Sequence, residues 1–195
     1  MGIAACGESC GAAFSSGSSR LSSSMKCCAP VKHQPKFELG GIHRQEESIR
    51  VSQIKRYYLG GNDIKIGHLP EERILRKQKE IRKGGNRYDQ EIAVKFATDL
   101  RKVVDGEREN WYNDTDGCLA VIILIQFFTK CMYREDDRKH RFDIEACEMS
   151  KYILTNEVYV RLYSDYQLLT IASPLAFSES IYDNELAIEF IEKRI

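Results

Sequence analysis

GCLAVIILIQFFTKCMY, residues 117–133, decides what kind of fold this chain builds. The β-branched residues of its Val121-Ile122-Ile123-Leu124 core suit a strand. A strand, however, is usually spent after about 5–6 residues, and this segment stays apolar for much longer, so its length favours a helix. A helix that is apolar nearly all round is one that other elements pack against. Its unbroken run, Leu119 to Ile125, is interrupted by Gln126 and closed after Phe127 and Phe128 by Thr129 and Lys130. That falls short of the ~20 residues a spanning helix needs, so the segment reads as a buried core helix.

The flanking sequence supplies amphipathic partners. Upstream, a helix over about 46–59 places Val51, Ile54 and Tyr58 on one face and stops at Gly60-Gly61. A second starts at Pro70, with Glu71 and Glu72 in its first turn, and ends at Gly84-Gly85. A third, capped by Asp89, carries Ile92, Phe96, Leu100 and Val103 as far as Gly106. Downstream, helices are expected over about 139–154, 156–171 and from Asp183 to the end. About seven helices with short connections make an all-α domain, an antiparallel helix array over 45–195.

Residues 1–41 differ in composition. They are rich in Gly, Ser, Ala and Cys, contain Pro30 and Pro35, and show no apolar periodicity, which marks a flexible arm. The arm opens MGIAACGESC. Glycine at position two followed by small residues is the requirement for N-myristoylation, from which Cys6 departs at the position usually held by Ser or Thr. One acyl chain holds a membrane only marginally. Cys6 and Cys10 are therefore the candidate palmitoylation sites that would complete an anchor at Gly2. The segment lacks the basic start and sustained apolar stretch of a secretory signal. It also lacks the CxxC pairs of a structural zinc site.

The whole chain has 195 residues, 43% of them hydrophobic and 30% charged, with 29 basic residues against 29 acidic ones. With no net field, electrostatic partners must be recognised locally. One basic stretch, RILRKQKEIRKGGNR at 73–87, offers Arg73, Arg76, Lys77, Arg82 and Lys83 as candidate contacts to anionic lipid, against a plain reading as a solvated face. No aromatics interleave them for base stacking, so nucleic acid is not an expected partner. Seven cysteines, an odd number and partly within helical patterns, fit a reducing compartment rather than a disulfide framework. The chain contains no phosphate-binding GxxxxGK loop, GxSxG elbow or HExxH helix. No cofactor or metal is expected.

RYDQEIAVKF, then WYNDTDGCLAVIILIQFFTKCMYR, then HRFDIEA, then SPLAFSES resemble, in order and spacing, the family catalogued as domain of unknown function 924. Tyr88-Asp89 resembles its Phe-Asp pair, and Trp111 with Leu119-Ala120 its Trp and Leu-Ala. Tyr133-Arg134 resembles its aromatic-Arg, Phe142 with Glu145-Ala146 its Phe-acid-Ala, and Pro174 with Ser178-Glu179 its Pro-x-x-His-Ser-Glu. Tyr57-Tyr58 before Gly60 resembles its early aromatic pair. The resemblance spans about 48–195 and implies a tetratricopeptide-like helical fold, with no general reaction attached.

Departures from the family pattern fall on its polar residues. Where the family shows Asp-Gln-Phe-Pro-Arg-Asn this chain has Gln126-Phe127-Phe128-Thr129-Lys130-Cys131, and Phe177 stands where it has His. Members usually continue through one more helix. Ending at Ile195 within an amphipathic pattern is expected to leave an apolar face for a partner or a second copy to cover.

Two functions from different classes follow. The first is a non-enzymatic helical adaptor, tethered by its acylated arm to the cytoplasmic face of a membrane and binding a protein or peptide. The second is a small-molecule enzyme in which Arg134 holds an anion and Glu179 acts as acid or base beside Ser178. Against it stands the ordinary reading, in which Arg134 pairs with a carboxylate between helices and Ser178 with Glu179 caps a helix.

Overall fold

The computed structural model describes residues 45–60 and 71–193. Gly2, Cys6 and Cys10, with the rest of the arm, lie outside the described residues, as does Pro70. Among the described residues there are eight α-helices and no strand: α1 (Gln45–Leu59), α2 (Glu71–Lys83), α3 (Gly85–Val104), α4 (Thr115–Met132), α5 (Asp143–Leu154), α6 (Glu157–Val160), α7 (Asp165–Ala176) and α8 (Ile181–Glu192). Short 3-10 turns at Glu109–Asn113 and Asp137–His140 lead into α4 and α5. The all-α reading holds.

Helix α4 is the core. Every side chain from Cys118 to Gln126 is buried. Helices α1 and α3 pack on it from the first half of the chain, α5 and α7 from the second, and α8 lies on α7. By length and composition α4 would pass for a membrane span, but 72% of it is buried inside the fold. Burial of its whole circumference is the reason its sequence shows no polar face.

Aromatic rings lock α4 to α1 and α3. Phe128 lies 4.8 Å from Phe96 and 5.8 Å from Tyr57, while Tyr58 stacks on Phe127 at 4.4 Å. At the other end of α4, Asp114 caps the helix by accepting from the backbone N–H groups of Asp116 (2.8 Å) and Gly117 (3.0 Å). Lys55 of α1, itself buried, pairs with Asp116.

Several helix limits differ from those the sequence predicts, each for a local reason. Helix α3 begins at Gly85, whose φ of 52° lies in the left-handed region, so the Gly84-Gly85 break costs no Cβ strain there. Asp89 therefore sits inside α3 and does not cap it. The single helix expected over 156–171 is two. Asn156 caps α6 by accepting from Val158 N–H at 3.0 Å. A turn follows, and Ser164 then starts α7 with a capping box in which its own N–H donates to Gln167 Oε1 at 2.8 Å. Helix α5 starts at Asp143 because Asp136 caps the separate 3-10 turn before it. Helix α8 starts two residues before Asp183, with Ser180 as its cap.

The basic helix α2 is amphipathic, burying Ile74 and Ile81. Its cations do not form one free face. Lys77 lies over the rings of Tyr57 (5.1 Å) and Tyr88 (4.9 Å), whereas Arg76, Arg82 and Lys83 are exposed. The side chain of Arg73 lies outside what is described.

Candidate functional site

The middle of α4 is not α-helical. Ile123–Phe128 forms a π-helical turn, in which one extra residue is accommodated and the chain after it is rotated relative to the chain before. The turn closes on Leu124, whose carbonyl accepts both the Thr129 backbone N–H and its hydroxyl at 3.0 Å. The sequence predicts an uninterrupted helix here. The turn directs Gln126 and Lys130 toward α5 while Phe128 keeps its place in the aromatic core.

Those two side chains form one wall of a cleft of about 540 Å³. Its other walls are the N-terminal half of α5 with His140 before it, and the turn between α7 and α8, which carries Phe177, Ser178, Glu179 and Ser180. Pro174, inside α7, also lines the cleft. A proline inside α7 cannot donate to Thr170, and Ser173 Oγ donates to the Thr170 carbonyl instead, at 2.7 Å. The Pro174 carbonyl accepts from the Cys147 thiol at 3.5 Å.

Two carboxylates organise the floor. Asp143 meets Lys130 Nζ at 3.0 Å and His140 Nδ1 at 2.8 Å. With the Gln126 amide oriented as these neighbours require, its nitrogen donates to Asp143 Oδ1 at 3.1 Å and its oxygen accepts from Lys130 Nζ at 3.0 Å. Gln126 is buried, so this orientation satisfies both ends of an amide that would be costly to leave unpaired. The second carboxylate, Asp183, accepts from Lys151 Nζ and from Ser178 Oγ, each at 2.8 Å. Ser178 Oγ in turn accepts the Ser180 N–H at 3.1 Å.

These contacts set the chemistry. Burial alone would raise the Asp183 carboxyl, but the Lys151 and Ser178 hydrogen bonds outweigh it and hold the group below its usual value. As a base Asp183 is therefore weak. Burial pushes the Cys147 thiol up, against a hydrogen bond with Ser178 and the Lys151 charge, and a protonated buried thiol is a poor nucleophile. Among the described residues, no group of three or more His, Cys, Asp or Glu side chains could hold a metal ion. What the cleft offers is a hydrogen-bonding floor under an apolar rim, where Ile144 and Phe177 are 77% and 67% exposed.

The depressed Asp183 carboxyl has a testable sign. In the unfolded chain it titrates near 3.8 and in the fold lower, so its stabilisation is complete above that value and is lost as pH falls through the folded one. Asp183→Asn is expected to flatten the acid limb of a stability–pH curve measured by urea unfolding between about pH 5 and 2. An unchanged acid limb would remove Lys151–Asp183 as a stabilising pair.

Of the residues expected to act together, Ser178 and Glu179 lie in the cleft and Arg134 does not. Arg134 forms a two-pronged pair with Asp89 of α3, Nε and Nη2 donating at 2.7 Å each, and donates to the Arg82 carbonyl at 3.4 Å. It ties α2 and α3 to the end of α4. Ser178 binds Asp183 rather than capping through Glu179, and Ser180 is the cap of α8. Sequence reasoning did not select Asp143, Asp183, Lys151 or His140. The signal lay in where the family pattern is broken, since Gln126, Lys130 and Phe177, three of the departures from it, meet in this one cleft.

No curated protein matches the chain. No solved structure matches it either. A family model does match, over residues 69–195 and so without Tyr57-Tyr58. That span holds α2 to α8 and the entire cleft, and the chain accordingly belongs to the family described as bacterial protein of unknown function (DUF924).

Proposed function

We propose that this protein is a peptide-binding helical adaptor whose ligand occupies the cleft between α4, α5 and the α7–α8 turn. The observation that carries the reading is the pairing of the floor beneath an apolar rim. Asp143 and Asp183 are engaged by Lys130, His140, Lys151 and Ser178, an arrangement suited to holding shape rather than transferring protons. Ile144 and Phe177, by contrast, stand exposed at the mouth. Asp143, Glu148, Glu179 and Asp183 line the cleft against Lys130 and Lys151. This acidic balance favours a segment with an apolar anchor beside a Lys or Arg.

The repeated antiparallel packing of a tetratricopeptide-like array belongs to the same reading, since such arrays bind peptides along a groove. So does the arm, in which acyl chains at Gly2, Cys6 and Cys10 would hold the domain at the cytoplasmic face of a membrane, with the exposed Arg76, Arg82 and Lys83 toward anionic headgroups.

Selection of a random peptide display library on the purified chain tests the cleft. Enriched peptides are expected to place an aliphatic or aromatic residue next to a Lys or Arg. Their affinity should fall at least tenfold in Phe177→Asp and Ile144→Asp, as loss of an anchor contact does. Enrichment without such a motif, or binding indifferent to both variants, overturns the reading. The tether is tested separately by labelling cells with a clickable myristate analogue. Label lost in Gly2→Ala and membrane retention lost in the Cys6/Cys10 double alanine are expected, and no label on the wild type removes the anchor.

A further inference from the structure

A second cleft, of about 430 Å³, lies between the last turns of α3 and the segment that joins α4 to α5. It shares no lining residue with the first. Arg101, Arg138 and Arg141 line it against the single carboxylate of Asp105, with Thr98 supplying a hydroxyl. In a chain of zero net charge this is a local concentration of cations, all of them guanidinium.

The guanidinium groups are held in a particular way. Arg138 lies over the Tyr133 ring at 4.3 Å and Arg141 over the Phe142 ring at 5.3 Å. Each guanidinium carbon lies within cation–π range of its ring, which anchors the side chain at the cleft wall before a ligand arrives. Asp136 fixes Arg138 further, at 2.8 Å, and is itself fixed by accepting the Arg138 backbone N–H at 2.8 Å. Among the described residues neither Arg101 nor Arg141 is paired with a carboxylate.

We infer that this cleft binds a small molecule carrying two or more phosphate groups. Guanidinium forks match phosphate oxygens two at a time; Arg101 and Arg141, unpaired among the described residues, lie on two different elements, with Arg138 beside them sharing its charge with Asp136, and that spread suits more than one phosphoryl group. The volume is that of a small-molecule site. Each of the two rings already carries an arginine over one face, which favours a compact polyanion over recognition by base stacking. The phosphates can belong to a soluble molecule or to a phosphorylated lipid headgroup, and the chemistry of recognition is the same.

Isothermal titration of the full, unacylated chain with pyrophosphate and with inositol trisphosphate tests the inference. Binding is expected, weakening steeply with salt. It should fall at least tenfold in Arg101→Gln and in Arg141→Gln, and remain unchanged in Arg161→Gln, which removes an exposed cation elsewhere. All three variants should melt with the wild type. Cosedimentation with phosphatidylcholine vesicles with and without phosphatidylinositol bisphosphate separates the sources. Retention that inositol trisphosphate competes away assigns the headgroup, and binding in solution without retention assigns a soluble ligand; either result supports the site. No binding of either probe at millimolar concentration, or equal weakening in Arg161→Gln, overturns it.

Discussion

Replacing Gly117 with alanine is expected to destabilise the fold by about 3 kcal/mol or more. A Cβ at Gly117 would stand 2.2 Å from the Trp111 carbonyl oxygen and under 3.0 Å from two further backbone atoms of the same residue. A side chain can swing away from such an intrusion. Here the obstacle is main chain, and it belongs to the 3-10 turn that seats the fully buried Trp111. Relief requires that turn to back off α4, which would unseat the indole and loosen the Asp114 cap together. Urea unfolding of Gly117→Ala checks the figure through the transition midpoint. A loss below about 1 kcal/mol would mean that the turn and α4 are not in the contact described.

The second large effect is expected at Phe128. Its ring is fully buried and meets Phe96, Tyr57 and Tyr58 at 4.8, 5.8 and 6.2 Å. Truncation to alanine removes that contact surface and leaves a cavity among rigid rings, a change that costs about 3–5 kcal/mol. Phe127, only partly buried and, among the described residues, stacked on Tyr58 alone, should cost clearly less. The contrast matters because Phe128 closes the π-helical turn. Phe128→Ala should also disturb the cleft, seen as weaker binding of any selected peptide at temperatures where the variant is still folded. Equal destabilisation by the two alanines would contradict the register that the π turn imposes.

The core helix, the glycine breaks and the all-α class were legible because each rests on local pattern. An apolar run of that length leaves few alternatives, and Gly60 and Gly85 take left-handed φ values at the breaks their sequence marks. The π turn was not legible. Its extra residue changes no composition and only re-aims the side chains around it. The same blindness hid Asp143 and Asp183. Each is an unremarkable acid near a helix start, and each becomes a hub only because Lys130 or Lys151, from another turn or helix, reaches it. For Arg134 the ordinary reading is the one the fold realises: it pairs with a carboxylate between helices, that of Asp89. Which carboxylate meets which cation leaves no trace in the spacing of a single sequence.

The cysteines inside the fold have a consequence for the life of the molecule. Cys118, Cys131 and Cys147 are all buried; burial drives the Cys118 thiol well above its usual range and pushes Cys131 up to about 11. Oxidants act on thiolate that they can reach, so in the folded domain Cys118 and Cys131 are shielded, whereas Cys147 lines the cleft and has its raised thiol to protect it. Each unfolding event exposes these targets together, and an oxygen added to Cys118 would have to be removed or accommodated before the core could close again. In an oxidising episode Cys118 and Cys131 are therefore spared in intact molecules and open to attack in unfolded ones, so damage to the core follows how often the domain opens more than how long it is exposed.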